Sequence, residues 1–183
     1  MARPLTLMLY LDNRPISNEL ENYMNTLASL TDKLTVNVAD RNSSSDISPC
    51  VKISTDDGTE TGLAFHGVPS GHEFTSFVLG LYNAAGPGQS LDADVREAIG
   101  KLGRKDMKVL VSLSCTMCPE LVMAAQRVAA ENEQVTAQVY DINHFPQLRQ
   151  RYNVMSVPCL VIDDGAQVTF GKKNIRQLLE LLR

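Results

Sequence analysis

The order of predicted elements in the first half of this chain returns in the second half. In each half, the spacing of hydrophobic residues predicts a strand, a helix and a strand, then a strand opened by a Pro-Cys pair, a hairpin turn and a closing helix. The first three elements span residues 5–11, 18–30 and 34–38, and again residues 107–113, 119–131 and 135–140. Because the element order and the Pro-Cys position agree, we interpret the 183 residues as two copies of one plan.

The second part of each copy carries the most specific shared signals. Pro49-Cys50 and Pro158-Cys159 each open a strand, and Asp57-Gly58 and Asp164-Gly165 each predict the turn of a hairpin. A chance agreement in an unrelated α/β protein is the alternative interpretation, and it must explain all of these positions at once.

The segment between the copies is marked by a Gly-Pro-Gly sequence at residues 86–88. Such residues favour turns and linkers, so we predict one unit over residues 1–87 and a second over residues 88–183. A helix that Asp92 caps is predicted to open the second unit and to run to Leu102. In the first unit, a polar stretch with three consecutive serines is predicted to be a loop over residues 40–48.

A strand–helix–strand unit implies parallel pairing, whereas the hairpin adds antiparallel strands. Each copy is therefore predicted to form a mixed sheet flanked by helices, which is the thioredoxin-like layout. The fold class is α/β, with two tandem thioredoxin-like folds. The helix that closes the first copy begins after Glu73 and has Phe74, Phe77, Val78 and Leu81 on one apolar face.

Charge and composition exclude several classes of function. The formal net charge of −4 argues against a nucleic-acid partner, because binding to phosphates requires a basic face. No apolar run approaches the roughly 20 residues that span a bilayer, and the few residues before the first strand leave no room for a signal peptide. Four cysteines do not form a disulfide scaffold in a chain of this size. We therefore expect a cytoplasmic protein in which some thiols are reactive.

The sequence Cys115-Thr116-Met117-Cys118 lies between a predicted strand and a predicted helix. In that position the helix N-terminus stabilises a thiolate, and a separation of three residues allows a disulfide. Cys115, in the exposed loop, is expected to attack a partner disulfide, and Cys118, one turn inside, to resolve the mixed disulfide. Pro119 fits the first helical turn, where no backbone N–H is needed.

Two alternatives for this pair are a zinc site and an inert buried pair. A structural zinc site needs four ligands, whereas Cys50 and Cys159 stand alone and the three histidines show no paired spacing. We therefore expect no metal ligands.

Val157-Pro158 lies about forty residues after the cysteine pair, where thioredoxin-like folds place a cis-proline that faces the disulfide. We expect both residues to bind the backbone of a substrate. A proline at the edge of a sheet is the alternative. Cys50 and Cys159 are expected to fill the core, and the alternative for Cys159 is a place near the active cysteine pair. The first copy has Asp12-Asn13-Arg14-Pro15 in place of the cysteine pair, so it cannot perform thiol chemistry there.

Residues 111–119, residues 154–158 and above all residues 65–76, Phe-His-Gly-Val-Pro-Ser-Gly-His-Glu-Phe-Thr-Ser, are similar to a known family. The family is the N-terminal domain of the flavoprotein subunit of alkyl hydroperoxide reductase, and the resemblance covers nearly the whole chain. It implies two fused thioredoxin-like folds of which only the second is redox-active. Such a domain carries electrons from a module that binds FAD and NADH to the disulfide of a peroxiredoxin subunit.

By position, the resemblance implies that Cys115 is the nucleophile, that Cys118 is the resolving thiol and that Glu73 lies near the pair and moves protons. A carboxylate can act as such a base only if burial raises its pKa. The alternative is that Glu73 complements the dipole of its own helix. No Gly-x-Gly-x-x-Gly sequence follows a strand, so we expect FAD and NADH to bind a partner module and no cofactor to bind this chain.

We therefore expect a thiol–disulfide oxidoreductase that reduces a peroxiredoxin, either as a domain of a longer protein or as a stand-alone relative. The alternatives are a stand-alone protein disulfide oxidoreductase or isomerase, and a thioredoxin-like interaction module without catalysis. Because Thr116 and Met117 bring no positive charge to a thiolate, we expect a reduction potential nearer about −270 mV than about −120 mV.

Overall fold

The computed structural model describes residues 1–40 and 48–183, so residues 41–47 of the predicted loop lie outside the described residues. The strands of the first copy are β1 (Leu5–Tyr10), β2 (Leu34–Val38), β3 (Cys50–Thr55) and β4 (Glu60–His66), and those of the second are β5 (Lys105–Val111), β6 (Val135–Asp141), β7 (Cys159–Ile162) and β8 (Gln167–Phe170). The helices are α1 (Pro15–Ala28), α2 (Phe74–Ala84), α3 (Ala93–Gly100), α4 (Cys118–Glu131), α5 (Pro146–Arg151) and α6 (Ile175–Leu182).

The described strands form one mixed sheet in the order β2-β1-β3-β4-β6-β5-β7-β8. Each copy contributes a parallel pair, β1 with β2 and β5 with β6, and then an antiparallel hairpin. The predicted fold class is confirmed. The sequence indicated a mixed sheet in each copy, and the structure joins the two sheets edge to edge through parallel pairing of β4 with β6.

The Pro-Cys pairs occupy equivalent places in the two copies. The Ser48–Pro49 and Val157–Pro158 peptide bonds are both cis. Each following cysteine begins its strand and pairs with the central strand of its own copy, Cys50 with Tyr10 and Cys159 with Leu110. The internal repeat is therefore present in the backbone as well as in the sequence.

The helices cover the sheet with the apolar faces that their spacing predicts. Helix α4 lies at the centre, where Leu121, Val122, Ala125 and Val128 are completely buried. It packs closely against α2 of the first copy. A Cβ at Gly80 of α2 would lie within 3 Å of the Gln126 side chain of α4. A residue without a side chain at this crossing therefore lets the two copies share one core.

Two details of the helix predictions are wrong. In α2, Phe77 and Leu81 are buried as expected, but Phe74 is 48% exposed because it stands at the first position of the helix, outside the core. Asp92 occupies the position before α3 but forms no capping hydrogen bond. Its carboxylate instead accepts a hydrogen bond from Arg176 of α6 at 2.8 Å.

Gly62 lets the two copies approach each other at the β4–β6 junction. Its φ of +79° favours glycine, and a Cβ there would lie 2.8 Å from the backbone oxygen of Val135. We expect Gly62→Ala to lower the free energy of unfolding by about 2 kcal/mol more than Gly58→Ala does. Urea unfolding followed by circular dichroism measures both changes.

Gly58 is the matched control because it has a similar φ of +89°, while a Cβ there would meet no described atom within 4 Å. Equal destabilisation by the two substitutions would show that backbone strain alone, and not contact between the copies, determines the cost at Gly62.

Candidate active site

The two cysteines of the Cys-x-x-Cys sequence form a disulfide between the end of β5 and the start of α4, with their Cα atoms 5.6 Å apart. Cys115 lies in the connecting loop and is partly exposed, whereas Cys118 is the first residue of α4 and is completely buried. Of the two cysteines, Cys115 is therefore the one open to approach by a partner.

The start of α4 directs a hydrogen-bond donor at the exposed sulfur. The backbone N–H of Cys118 donates to Cys115 Sγ at 3.1 Å. Pro119, in the first turn, has no N–H that would need a partner. After reduction, the same N–H and the dipole of α4 stabilise a thiolate at Cys115.

The loop before β7 lies at the same end of the sheet as the disulfide. The antiparallel pairing of Leu110 with Cys159 brings the loop that follows β5 beside the loop that precedes β7. Val157 packs against the same core as Cys115. No hydrogen bond within the described residues uses the backbone N–H or C=O of Val157, although the next carbonyl, of Pro158, accepts from Gly171 N–H at 3.0 Å.

The first copy contributes a 3-10 turn, Gly71–Glu73, to this region. The N–H of His72 donates to the carbonyl of Leu113 at 3.0 Å, two residues before Cys115. Gly71 has a φ of +57°, and a Cβ there would lie 2.8 Å from the same carbonyl oxygen. This close contact holds Glu73 of the first copy next to the disulfide loop of the second.

The carboxyl group of Glu73 is completely buried. The hydroxyl of Ser76 donates to its Oε2, and its Oε1 has no hydrogen-bond partner among the described residues. Burial raises the pKa of Glu73 to about 7, and the hydrogen bond from Ser76 opposes this shift only in part. The group therefore changes charge near neutral pH.

In the first copy, the position equivalent to the disulfide is filled by Arg14, whose role the sequence analysis missed. Its guanidinium donates to the carbonyl of Ser48 at 2.6 Å, to the carbonyl of His144 at 3.0 Å and to Asp12 at 2.9 Å. Ser48 precedes the cis-proline as Val157 does in the second copy. In the first copy the Arg14 side chain thus binds the carbonyl before the cis-proline, whereas in the second copy the backbone groups of Val157 have no such partner among the described residues. The only sequence signal was an arginine just before a helix-opening proline.

The two remaining cysteines are buried, as expected for core residues. Burial raises the pKa of Cys159 to about 11 and also raises the pKa of Cys50. Both thiols therefore stay protonated at neutral pH. In the described ranges, 1–40 and 48–183, no three His, Cys, Asp or Glu residues gather as ligands of a metal ion, and no helix is long and apolar enough to cross a membrane.

Comparison with known proteins agrees with this geometry. The family model described as "Thioredoxin domain" matches residues 105–182. A solved structure of the NTD_N/C domain of alkyl hydroperoxide reductase AhpF from Enterococcus faecalis is 35% identical, with a TM-score of 0.94, and the match covers 100% of this chain and 92% of that one. The chain belongs to the family of AhpF N-terminal domains.

A longer relative supports this assignment. The alkyl hydroperoxide reductase F protein of Pseudomonas aeruginosa is 31% identical over 98% of this chain. The chain spans about a third of the length of such curated relatives, 34% in this case. A protein disulfide oxidoreductase from Aeropyrum pernix, at 22% identity and a TM-score of 0.80, shares the fold; the match covers 100% of this chain and 85% of that one. The resemblance to the AhpF flavoprotein, and the thioredoxin-like fold that it implied, are confirmed.

The raised pKa of Glu73 makes the stability of this AhpF-family domain depend on pH. Because the unfolded chain releases this proton near pH 4.5 and the folded chain only near pH 7, stability falls as the pH rises through that interval. The loss is about 3 kcal/mol by pH 8. We expect Glu73→Gln to remove this loss of stability. The free energy of unfolding of the variant should therefore increase relative to that of the parent as the pH rises from 4 to 8. Urea unfolding at several pH values measures the difference.

Glu133→Gln is the control, because it neutralises an exposed carboxylate. Parallel stability curves for Glu73→Gln and the parent would show that the Glu73 carboxyl ionises freely in the folded chain.

Proposed function

We propose that this chain relays electrons, as a dithiol, from a reductase module that binds FAD and NADH to the disulfide of a peroxiredoxin subunit during peroxide reduction. The observation that carries the proposal is the Cys115–Cys118 disulfide at the start of α4, with Cys115 partly exposed and Cys118 buried, in a chain of the AhpF family. A Bacillus subtilis relative, 28% identical over 89% of this chain, is named NADH dehydrogenase, which supports a nicotinamide source of electrons.

The exchange would proceed in two steps within the reduced chain. The Cys115 thiolate attacks one sulfur of the peroxiredoxin disulfide, and the other partner sulfur leaves as a thiolate. The Cys118 thiolate then attacks Cys115 Sγ and releases the second partner thiolate. The chain loses two electrons and forms its internal disulfide, and the partner gains both electrons and, with protonation, becomes a dithiol.

Glu73 would move the proton that this exchange requires. Cys118 must lose its proton to attack, and it does so in a buried environment where water is scarce. A buried carboxyl with a pKa of about 7, held beside the disulfide loop, suits a general base at neutral pH. Its burial argues against the alternative that Glu73 serves as a charged carboxylate for the dipole of α2.

Val157 and Pro158 would hold the backbone of the partner. The free N–H and C=O of Val157 can pair with an extended segment, as an added strand does at a sheet edge. In the first copy the guanidinium of Arg14 donates to the equivalent carbonyl, that of Ser48. We therefore assign substrate binding to residues 88–183, whereas residues 1–87 supply Glu73 and no reactive thiol.

The proposal places both cofactors on another module. The loops after β1 and β5 lack the glycines that cradle a dinucleotide pyrophosphate, so neither loop offers the usual binding site of FAD or NADH. The cysteine-free loop of the first copy favours a relay over a disulfide isomerase with a reactive pair in each half. We propose a cytoplasmic location for this relay, because NADH is available there.

Substitution of the resolving cysteine should trap the partner. We expect Cys118→Ser, when mixed with the oxidised peroxiredoxin of the same organism, to accumulate a mixed disulfide through Cys115 that non-reducing electrophoresis detects. Cys115→Ser should form none, because its three remaining thiols are all buried. Cys50→Ala is the control and should behave as the parent, since its thiol is also buried. Equal trapping by Cys115→Ser and Cys118→Ser would contradict the assigned roles.

The reduction potential is a second measure of the proposed function. The backbone N–H of Cys118 and the dipole of α4 stabilise the Cys115 thiolate, but Thr116 and Met117 add no positive charge. We expect a value nearer about −270 mV than about −120 mV, measured by equilibration with glutathione or dithiothreitol buffers. A value above about −180 mV would contradict a role as a reductant.

A further inference from the structure

Two exposed methionines stand in the disulfide loop and in the loop that precedes β7. Met117, between the two cysteines, is 50% exposed, and Met155, two residues before Val157, is 73% exposed. The β5–β7 pairing brings these two loops to the same end of the sheet. Single exposed apolar side chains are common, but two of them in neighbouring loops at the end of the sheet that holds the disulfide offer apolar contact where a partner approaches.

The same two loops carry no charge. Residues 109–119 and 152–162 contain no Asp, Glu, Lys, Arg or His. Glu120, the first charged residue after the disulfide, lies 3.9 Å from Lys172 and is partly neutralised by it. These two loops therefore offer no charged side chain to a partner, and apolar contact is the means by which they can distinguish one partner segment from another.

We propose that Met117 and Met155 select an extended partner segment that has apolar side chains on both sides of its reactive cysteine. This inference rests on the proposed function, because it names the kind of disulfide that Cys115 attacks. The partner backbone would pair with Val157, and its flanking side chains would lie on the two thioethers. Methionine suits this role because its unbranched, polarisable side chain adapts to different apolar shapes.

The test compares two disulfide peptides that differ only beside the cysteine. One peptide has leucine on both sides of each cysteine, and the other has serine. The chain is first reduced with dithiothreitol and desalted. In each turnover its two thiols become the Cys115–Cys118 disulfide, and the peptide disulfide becomes two thiols. Stopped-flow measurement of the chain's oxidation gives a rate constant for each peptide.

We expect the parent chain to reduce the leucine peptide about tenfold faster than the serine peptide, since burial of one apolar side chain is worth at least that factor. The double variant Met117→Gln/Met155→Gln should bring the ratio of the two rate constants close to one. Met117→Leu/Met155→Leu keeps the apolar surface and should retain the preference. Val38→Gln should also retain it, because it removes an exposed apolar side chain on β2, five strands away from β5.

The outcomes separate the inference from the proposed function. If the parent reduces both peptides at the same rate, or if the glutamine variant keeps the preference, Met117 and Met155 do not select the partner, and the relay function stands. If the parent reduces neither peptide nor a peroxiredoxin disulfide, the proposed function fails and the inference fails with it.

Discussion

Parallel pairing of β4 with β6 turns two small sheets into one, and the position of the candidate site depends on it. Gly62 favours the pairing, because its missing side chain lets the backbone of the second copy approach. It also aligns the carboxyl ends of β4 and β5, so the turn after β4 meets the loop after β5. The hydrogen bond from the N–H of His72 to the carbonyl of Leu113 fixes that meeting, and it brings the turn that ends in Glu73 to the loop that carries the disulfide.

The two copies share a backbone plan and differ in what fills the equivalent loop. In the second copy the loop holds a disulfide, and the residue before the cis-proline keeps its backbone groups free. In the first copy Arg14 binds the carbonyl of Ser48 and also reaches His144 of the second copy. An exposed cation spanning the copies is therefore structural there, and the disulfide lies in the second copy.

Burial gives the four cysteines and Glu73 different chemical properties within one fold. Cys50 and Cys159 lie in apolar surroundings that favour the protonated thiol. Cys115 is partly exposed and receives an N–H at the start of a helix, which favours the thiolate. Glu73 is buried without a cationic partner among the described groups that shift its pKa, so its proton is held up to about neutral pH. Position in the fold, and not residue type, separates reactive groups from inert ones.

Much of this could be predicted from the sequence, because the signals are local. Hydrophobic period, turn residues and the Cys-x-x-Cys spacing each act over a few residues, so they located the strands, the helices and the disulfide at the start of α4. Phe74 and Asp92 were misjudged because their partners are set by distant segments. A face can be inferred from spacing, but whether its first residue meets the core depends on the angle at which the helix packs.

The sequence by itself therefore determined the repeated plan, the reactive cysteine pair and the absence of thiols at the equivalent position of the first copy. Only the tertiary structure decided that the two sheets are continuous, that Glu73 is buried beside the disulfide loop, and that Arg14 closes the first copy while Val157 stays free. The physical reason is that these properties depend on contacts between residues far apart in the chain, and such contacts exist only once both copies pack around one core.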